Sequence, residues 1–265
     1  SALHNTSLVP VCIFHGDTRG ALARWLVARG VRLVFHHEPP WTAQPEAAML
    51  KAEGHQSRSP LYAQLASMIG TFLRIDIPVL GFVDEFVLYT DVDVLFVQDV
   101  TLDDFSPLPK YYTVGTEASG NSSHIDSKVP ITGDGHFRSV TDALTNAEMS
   151  WRPPPSSVRS IGYGNAGIML INVPWMRRTY DEFVAWTFSG ANVARGLHFG
   201  PFGPGDQGAY NQFYTGKFNV HRWPLFNWKP YWGYNPRAKL VHFHGPKPDD
   251  YIVYRVTGQI THKAL

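Results

Sequence analysis

A chain of 265 residues that is 44% hydrophobic and 17% charged can bury a sizeable core as one generous α/β domain or two small ones. Twenty-three basic against 22 acidic residues leave a net charge of +1, which excludes a broad electrostatic drive toward nucleic acid or anionic lipid. No apolar run reaches the roughly 18 residues of a membrane span. Aromatic residues make up 14%, eight tryptophans included, which suits a packed core or stacking on flat ligands and sugar rings. The one cysteine, Cys12, sits in the apolar run Val9 to Phe14 and reads as a small buried hydrophobe, with no intrachain disulfide and no multi-thiolate zinc site open to it. Asn5-Thr6-Ser7 and Asn121-Ser122-Ser123 fit the N-glycosylation pattern. The chain starts at Ser1, which leaves room for a targeting or anchor segment before it; the Golgi lumen is the expected compartment and the cytoplasm the alternative.

The opening reads as a βαβ unit, with a strand over Pro10 to His15, a turn at Gly16-Asp17, a helix over Thr18 to Arg29 and a strand over Val31 to Phe35. A loop follows from Pro39 to Ser59. Pro60 to Arg74 then carries Leu61, Leu65, Met68, Ile69 and Phe72 at helical spacing, closed by Pro78. Phe86 to Tyr89 is a short strand that runs into Thr90-Asp91-Val92-Asp93, and Val94 to Val97 resumes the apolar pattern. Gly115 to Ser160, rich in Ser, Gly, Asp and Pro, reads as an irregular loop with one helix over Val140 to Met149. Ile168 to Val173 returns to a strand, Pro174 to Ser189 to a helix and Leu240 to His244 to a last strand. Neither a repeat nor a linker interrupts this order, so one domain over residues 1–265 is expected.

Three segments concentrate chemistry. In Asp91-Val92-Asp93 the strand period of two sets both carboxylates on one face, about 7 Å apart along the backbone. Their repulsion calls for a proton or a divalent cation, and a diphosphate is a natural second partner for that cation; a capped turn after a strand is the plain alternative. His242-Phe243-His244-Gly245-Pro246-Lys247-Pro248 offers imidazole ligands, a glycine that permits close backbone approach, and a lysine suited to phosphate oxygens. Gly205-Asp206-Gln207-Gly208 adds an acid and an amide on a glycine-bounded turn, where Asp206 could equally serve as a helix cap.

In their order these segments resemble the family 8 glycosyltransferases, the group that contains glycogenin, galactinol synthase and bacterial lipooligosaccharide galactosyltransferases. Arg74-Ile75-Asp76-Ile77-Pro78 is similar to the family's segment before its metal-binding strand, and Val87 to Val94 to that strand with its Asp-x-Asp motif. Gly164 to Asn172 resembles the asparagine-alanine-glycine strand, and Gly205 to Asn211 the aspartate-glutamine turn. Pro224-Leu225-Phe226-Asn227 and His242 to Pro248 complete a resemblance that spans residues 9–248. Only Pro246 separates Gly245 from Lys247, where the family has two residues.

The resemblance implies a GT-A fold, Rossmann-like, with a mixed, mainly parallel central sheet flanked by helices. It implies manganese or magnesium held by Asp91, Asp93 and His242, the first histidine of the pair rather than His244. The donor would be a nucleotide sugar, most often UDP-linked, contacted by His15, Gly16, Asp17, Arg74, Val92, Asn165, Ala166, Gly167, Gly245 and Lys247. Gln207 and Asp206 are the implied catalytic residues, Gln207 where a nucleophile would stand and Asp206 on the sugar hydroxyls. Transfer to a hydroxyl of a glycan, protein or small molecule would retain the anomeric configuration. An amide is a poor nucleophile, so a front-face reaction is expected, with the leaving diphosphate drawing the acceptor proton. Two alternatives belong to other classes. Val87 to Val94 also fits the nucleophile motif of haloacid-dehalogenase phosphatases, with Asp91 phosphorylated, although that reading gives no role to Asn165 to Gly167 or to His242 to Lys247. The other is a nucleotide-sugar or carbohydrate-binding protein that kept the fold without turnover.

Overall fold

The computed structural model describes residues 1–36, 39–45, 65–116, 164–221, 226–228 and 236–243. Strands and helices alternate through them in an α/β arrangement. The strands in chain order are β1 Val11–Phe14, β2 Arg32–Phe35, β3 Phe86–Thr90, β4 Val94–Phe96, β5 Tyr112–Thr116, β6 Gly164–Asn172, β7 Asn219–His221 and β8 Leu240–His242. The opening is the expected βαβ unit, with β1 and β2 parallel and Val11 opposite Arg32. Its helix is shorter than its apolar pattern, Ala21–Val27, because Asp17 closes a turn first: its side chain accepts from Arg19 N–H at 2.9 Å and its carbonyl from Gly20 N–H at 2.9 Å.

The sheet is mixed, as expected, but its parallel share is smaller than the opening suggests. Four strands run in the order β3-β6-β5-β7, where β6 is antiparallel to both its neighbours and only β5 and β7 are parallel; β4 and β8 form a separate antiparallel pair. Parallel pairing between named strands is thus confined, among the described residues, to β1–β2 and β5–β7, with one further parallel bridge between Trp228 and Val241. β5, part of which falls in the expected loop from Gly115, enters the sheet beside β6 and separates that strand from β7, while β3–β6 and β4–β8 are antiparallel without it.

β6 extends past the expected strand at its start, so Asn165, Ala166 and Gly167 belong to the strand itself. All nine of its residues are buried. Successive side chains point to opposite faces, and they feed two cores: Met169 and Ile171 join a large cluster with Phe72, Tyr112 and Tyr210, while Ile168 and Leu170 join a smaller one with Val94, Phe96, Phe226 and Leu240. A strand covered on both faces reads as an unbroken apolar run, which is what Ile168 to Ile171 is.

The described end of the Pro60 to Arg74 helix is Leu65–Phe72, which tightens into a 3-10 helix over Leu73–Val79 that contains Pro78. Asp76 anchors this turn. Its fully buried carboxylate accepts from His36 Nε2 at 2.5 Å, Trp41 Nε1 at 2.9 Å and the Tyr180 hydroxyl at 2.7 Å, tying the turn to the end of β2 and to the helix Tyr180–Thr187. The expected helix from Pro174 to Ser189 is two, Val173–Arg178 and Tyr180–Thr187, parted at Thr179, whose hydroxyl bonds the Met176 carbonyl and the Tyr214 hydroxyl. Gly205 to Gly208 is not a free-standing turn but the first turn of a helix, Gly205–Phe213. The helix over Val140 to Met149 and the sequon at Asn121 lie outside the described residues.

Candidate active site

Asp91 and Asp93 come together through a turn rather than through strand periodicity. β3 ends at Thr90, Val94 N–H donates to the Asp91 carbonyl at 3.3 Å, and β4 begins at Val94. Val92 between them is fully exposed. The turn is pinned on both sides, by Asp91 N–H on the Gly167 carbonyl at 2.8 Å and by Phe243 N–H on the Asp93 carbonyl at 2.9 Å. In the β4–β8 pair His242 stands opposite Val94, which carries its ring to the two carboxylates. One ligand atom each of Asp91, Asp93 and His242 lies within 4.8 Å of the other two.

Each of these side chains is oriented by a neighbour. Asp91 Oδ1 accepts from the Tyr89 hydroxyl at 2.6 Å and from Arg74 Nη2 at 3.0 Å, while Oδ2 lies over the Cα of Gly167. Burial holds the Tyr89 phenol well above its ordinary pKa against the pull of Arg74, so it remains a donor to Asp91. His242 is buried, its Nδ1 2.8 Å from Asn227 Oδ1 and its Nε2 3.4 Å from Asp93 Oδ1. A Cβ on Gly167 would stand 2.8 Å from Asp91 Oδ2 and collide with the His242 ring, so only glycine lets the strand approach this closely.

The second half of the site comes from an irregularity in β6. Val114 pairs with Met169 but the next residue, Gly115, pairs with Asn165, so Ala166, Gly167 and Ile168 bulge out of the β5 ladder. Their backbone groups turn to side chains instead. Ala166 N–H donates to Gln207 Oε1 at 3.1 Å, the Ala166 carbonyl accepts from Arg74 Nη1, and Gly167 N–H donates to Asn165 Oδ1 at 3.1 Å. Asn165 Nδ2 donates to the same Gln207 oxygen at 3.3 Å. A backbone N–H can only donate, so these two contacts fix which ends of the Gln207 and Asn165 amides are oxygen.

Arg74 joins the halves. It is 6% exposed; Nε meets Asp206 Oδ2 at 2.6 Å and Nη2 meets Asp91, and its guanidinium lies 4.4 Å from the Tyr89 ring centre. Burial alone would depress its pKa, but Asp206 and Asp91 outweigh that and hold it charged above its ordinary value. Asp206, in the first turn of its helix and 3% exposed, is pushed up to about 6 by burial, opposed by Arg74 and helped by the charge of Asp91. One guanidinium shared by two carboxylates does not fully offset the cost of burying Asp206.

The resemblance implies a donor contact for Arg74; among the described residues its N–H groups go to Asp206, Asp91 and the carbonyls of Ala166 and Thr71. Asp91, Asp93, His242, Arg74, Asn165 to Gly167, Asp206 and Gln207 form one connected cluster. His15, Gly16 and Asp17 lie at the end of β1 with bonds of their own, His15 Nδ1 to the His36 carbonyl at 2.9 Å among them, and none among the described residues joins them to that cluster. Gly245 and Lys247 lie outside the described residues, as does His244. Tyr89 and Asn227 were given no role. Tyr89 could have been found two residues before Asp91 on the same strand face; Asn227 had no signal beyond its place in Pro224-Leu225-Phe226-Asn227.

The donor set suits a divalent cation. Two carboxylates and an imidazole nitrogen, with Asn227 facing the other ring nitrogen, are ligands of the borderline-to-hard kind that manganese, magnesium and zinc take.

No protein-family model matches the chain, and no curated protein sequence does. Among solved structures it is similar to LgtC as an active-site mutant, at 16% identity and a TM-score of 0.49 over 86% of this chain and 75% of that one. It is similar to the galactosyltransferase LgtC in complex with donor and acceptor sugar analogs, at 17% identity and a TM-score of 0.45 over 83% and 68% of the two chains. Mouse xyloside xylosyltransferase 1 in its apo form is a third, at 16% identity and a TM-score of 0.44 over 90% and 84%.

Proposed function

We propose that the chain is a metal-dependent, retaining glycosyltransferase of the GT-A fold that moves a sugar from a nucleotide diphosphate sugar, UDP-linked by preference, to a hydroxyl acceptor. The reading is carried by one observation: three cation-ligating side chains and the amide of Gln207 converge on a single bulged segment, Asn165 to Gly167, with Arg74 bridging them. Asp91, Asp93 and His242 would hold the cation, manganese or magnesium. Bound there, it would neutralise charge on the departing diphosphate.

The chain's own residues do the rest. Gln207 Oε1 already accepts two N–H groups, which fixes the amide as a dipole and leaves it a poor nucleophile. Retention then follows from reaction on one face: the bond from the anomeric carbon to the diphosphate oxygen breaks, the acceptor oxygen forms its bond on the same face, and its proton passes to the leaving diphosphate. Arg74 acts on this chemistry through the carboxylates, since it pairs with Asp91 and with Asp206 and so orients both. Val92, projecting fully between the two acids, is available to the nucleotide.

A panel of nucleotide sugars, incubated with the protein and manganese and scored for release of the nucleoside diphosphate, tests the reading. Release with a UDP-sugar, lost in excess chelator and in Asp91→Asn and Asp93→Asn, is expected. Undiminished turnover in chelator refutes the metal role, an inverted anomer refutes retention, and phosphate release from a simple phosphomonoester moves the protein to the phosphatases.

A further inference from the structure

The backbone beside His242 is built with care for one contact. Trp228 N–H donates to the Leu240 carbonyl at 3.1 Å and His242 N–H to the Trp228 carbonyl at 2.8 Å, so residues 226–228 run alongside β8. Phe226, tilted on Phe105 with ring centres 4.8 Å apart, and Trp228 are both buried and hold Asn227 between them. Asn227 is itself fully buried, and a Cβ on Gly115 of β5 would meet its Cβ at 2.6 Å, so that strand makes room for it. The result is Asn227 Oδ1 at 2.8 Å from His242 Nδ1.

We propose that Asn227 is the positioning residue that fixes the tautomer of His242, taking the proton on Nδ1 and turning the Nε2 lone pair toward Asp91 and Asp93. An amide oxygen has no proton to give, so a contact at this distance requires the proton on Nδ1. On the other side of the ring Nε2 faces the acids, 3.4 Å from Asp93 Oδ1. A lone pair facing a carboxylate is repulsive by itself and becomes favourable with a cation between them. The tautomer assignment stands on geometry alone; its consequence for the cation rests on the function proposed above.

The test uses the metal-free protein labelled with 15N-histidine at pH 8, where long-range proton–nitrogen correlation reads the tautomer, with His242→Gln to assign the signal. Manganese affinity is measured separately by calorimetry. Wild type is expected to protonate Nδ1. Asn227→Asp, which keeps an acceptor oxygen, should keep that tautomer; Asn227→Leu should lose the preference and bind manganese about 10- to 100-fold more weakly. Wild-type protein protonated on Nε2 overturns the proposal, as does a folded Asn227→Leu protein with unchanged tautomer and manganese affinity. Should Asn227→Leu fail to fold, the wild-type tautomer and Asn227→Asp decide the matter. An Nδ1–H tautomer in a wild-type protein that binds no manganese upholds the role of Asn227 and refutes the cation reading.

Discussion

Besides the nearby Thr71 carbonyl, Arg74 has acceptors in three more distant parts of the chain, Asp91, Asp206 and the Ala166 carbonyl, and no other side chain type offers planar N–H groups in all these directions. Lysine would keep the charge but not the fork. Arg74→Ala leaves Asp206 buried without its cation and is expected to destabilise the fold by about 3–5 kcal/mol in denaturant titrations. Unchanged stability with weakened nucleotide binding would instead return Arg74 to the diphosphate. Asp206 gives a pH signature. Because its folded-state pKa is raised to about 6 from an ordinary 3.8, the folded protein binds more protons than the unfolded chain between those values, so this group's contribution to stability falls as pH rises through that window. Asp206→Asn should therefore gain on wild type, by an amount on the order of 3 kcal/mol, between pH 4 and pH 7 in metal-free unfolding experiments. A constant difference across that range would contradict it. Asp91 and Asp93 stand out in the sequence as ionisable residues at a strand end against apolar runs, and His242 is singled out from His244 by the family resemblance. Asn227 does not stand out, since its contact with His242 follows from Trp228 bonding to the backbone of β8, which leaves no period in the sequence.

Among the elements, β6 owes its use to where it leaves the regular ladder. The step from Val114–Met169 to Gly115–Asn165 takes Ala166, Gly167 and Ile168 out of the β5 ladder; Gln207 and Arg74 collect the Ala166 N–H and carbonyl, Asn165 the Gly167 N–H, and Asp91 N–H the Gly167 carbonyl. Asn-Ala-Gly could be recognised as a motif, but the bulge depends on how β5 meets β6 and was not legible. Two glycines test it. Gly167→Ala drives a methyl into His242 and against Asp91, and should weaken manganese binding more than about tenfold by calorimetry. Gly115→Ala presses on Asn227 from behind. It should lower stability by about 1–3 kcal/mol through overpacking and disturb the His242 ring signals, whereas intact signals would show that Asn227 has slack.

Among the described residues, the candidate cation ligands Asp91, Asp93 and His242 sit where two sheets meet, since β3 with β6 and β4 with β8 pair separately and the Asp91 to Asp93 turn alone joins β3 to β4 in sequence. A cation bound there would tie the folded form together by mass action. At manganese 100 times its dissociation constant the expected gain is about 2.7 kcal/mol, read as a rise in thermal midpoint that Asp93→Asn removes. An equal rise in that variant would mean the ion acts elsewhere. The βαβ opening and the strand at residues 86–90 were legible from hydrophobic period. β5 and β7 carry almost no alternation, being short strands with glycine, threonine or histidine, and the antiparallel sense of β3–β6 and β4–β8 is a matter of pairing that hydrophobic period does not encode.

The two-sided burial of β6 also limits how the protein can change. Its odd and even residues belong to different hydrophobic halves, and its first residues carry the site, so inserting or deleting one residue anywhere in it would exchange the occupants of both halves and move the amide-bearing segment off Gln207 at once. Loops elsewhere can lengthen and shorten; this strand can only be substituted. On the function proposed above, acceptor or donor preference would therefore have to be altered by replacing side chains around a segment of fixed length, and engineering by loop exchange should keep its breakpoints outside residues 164–172.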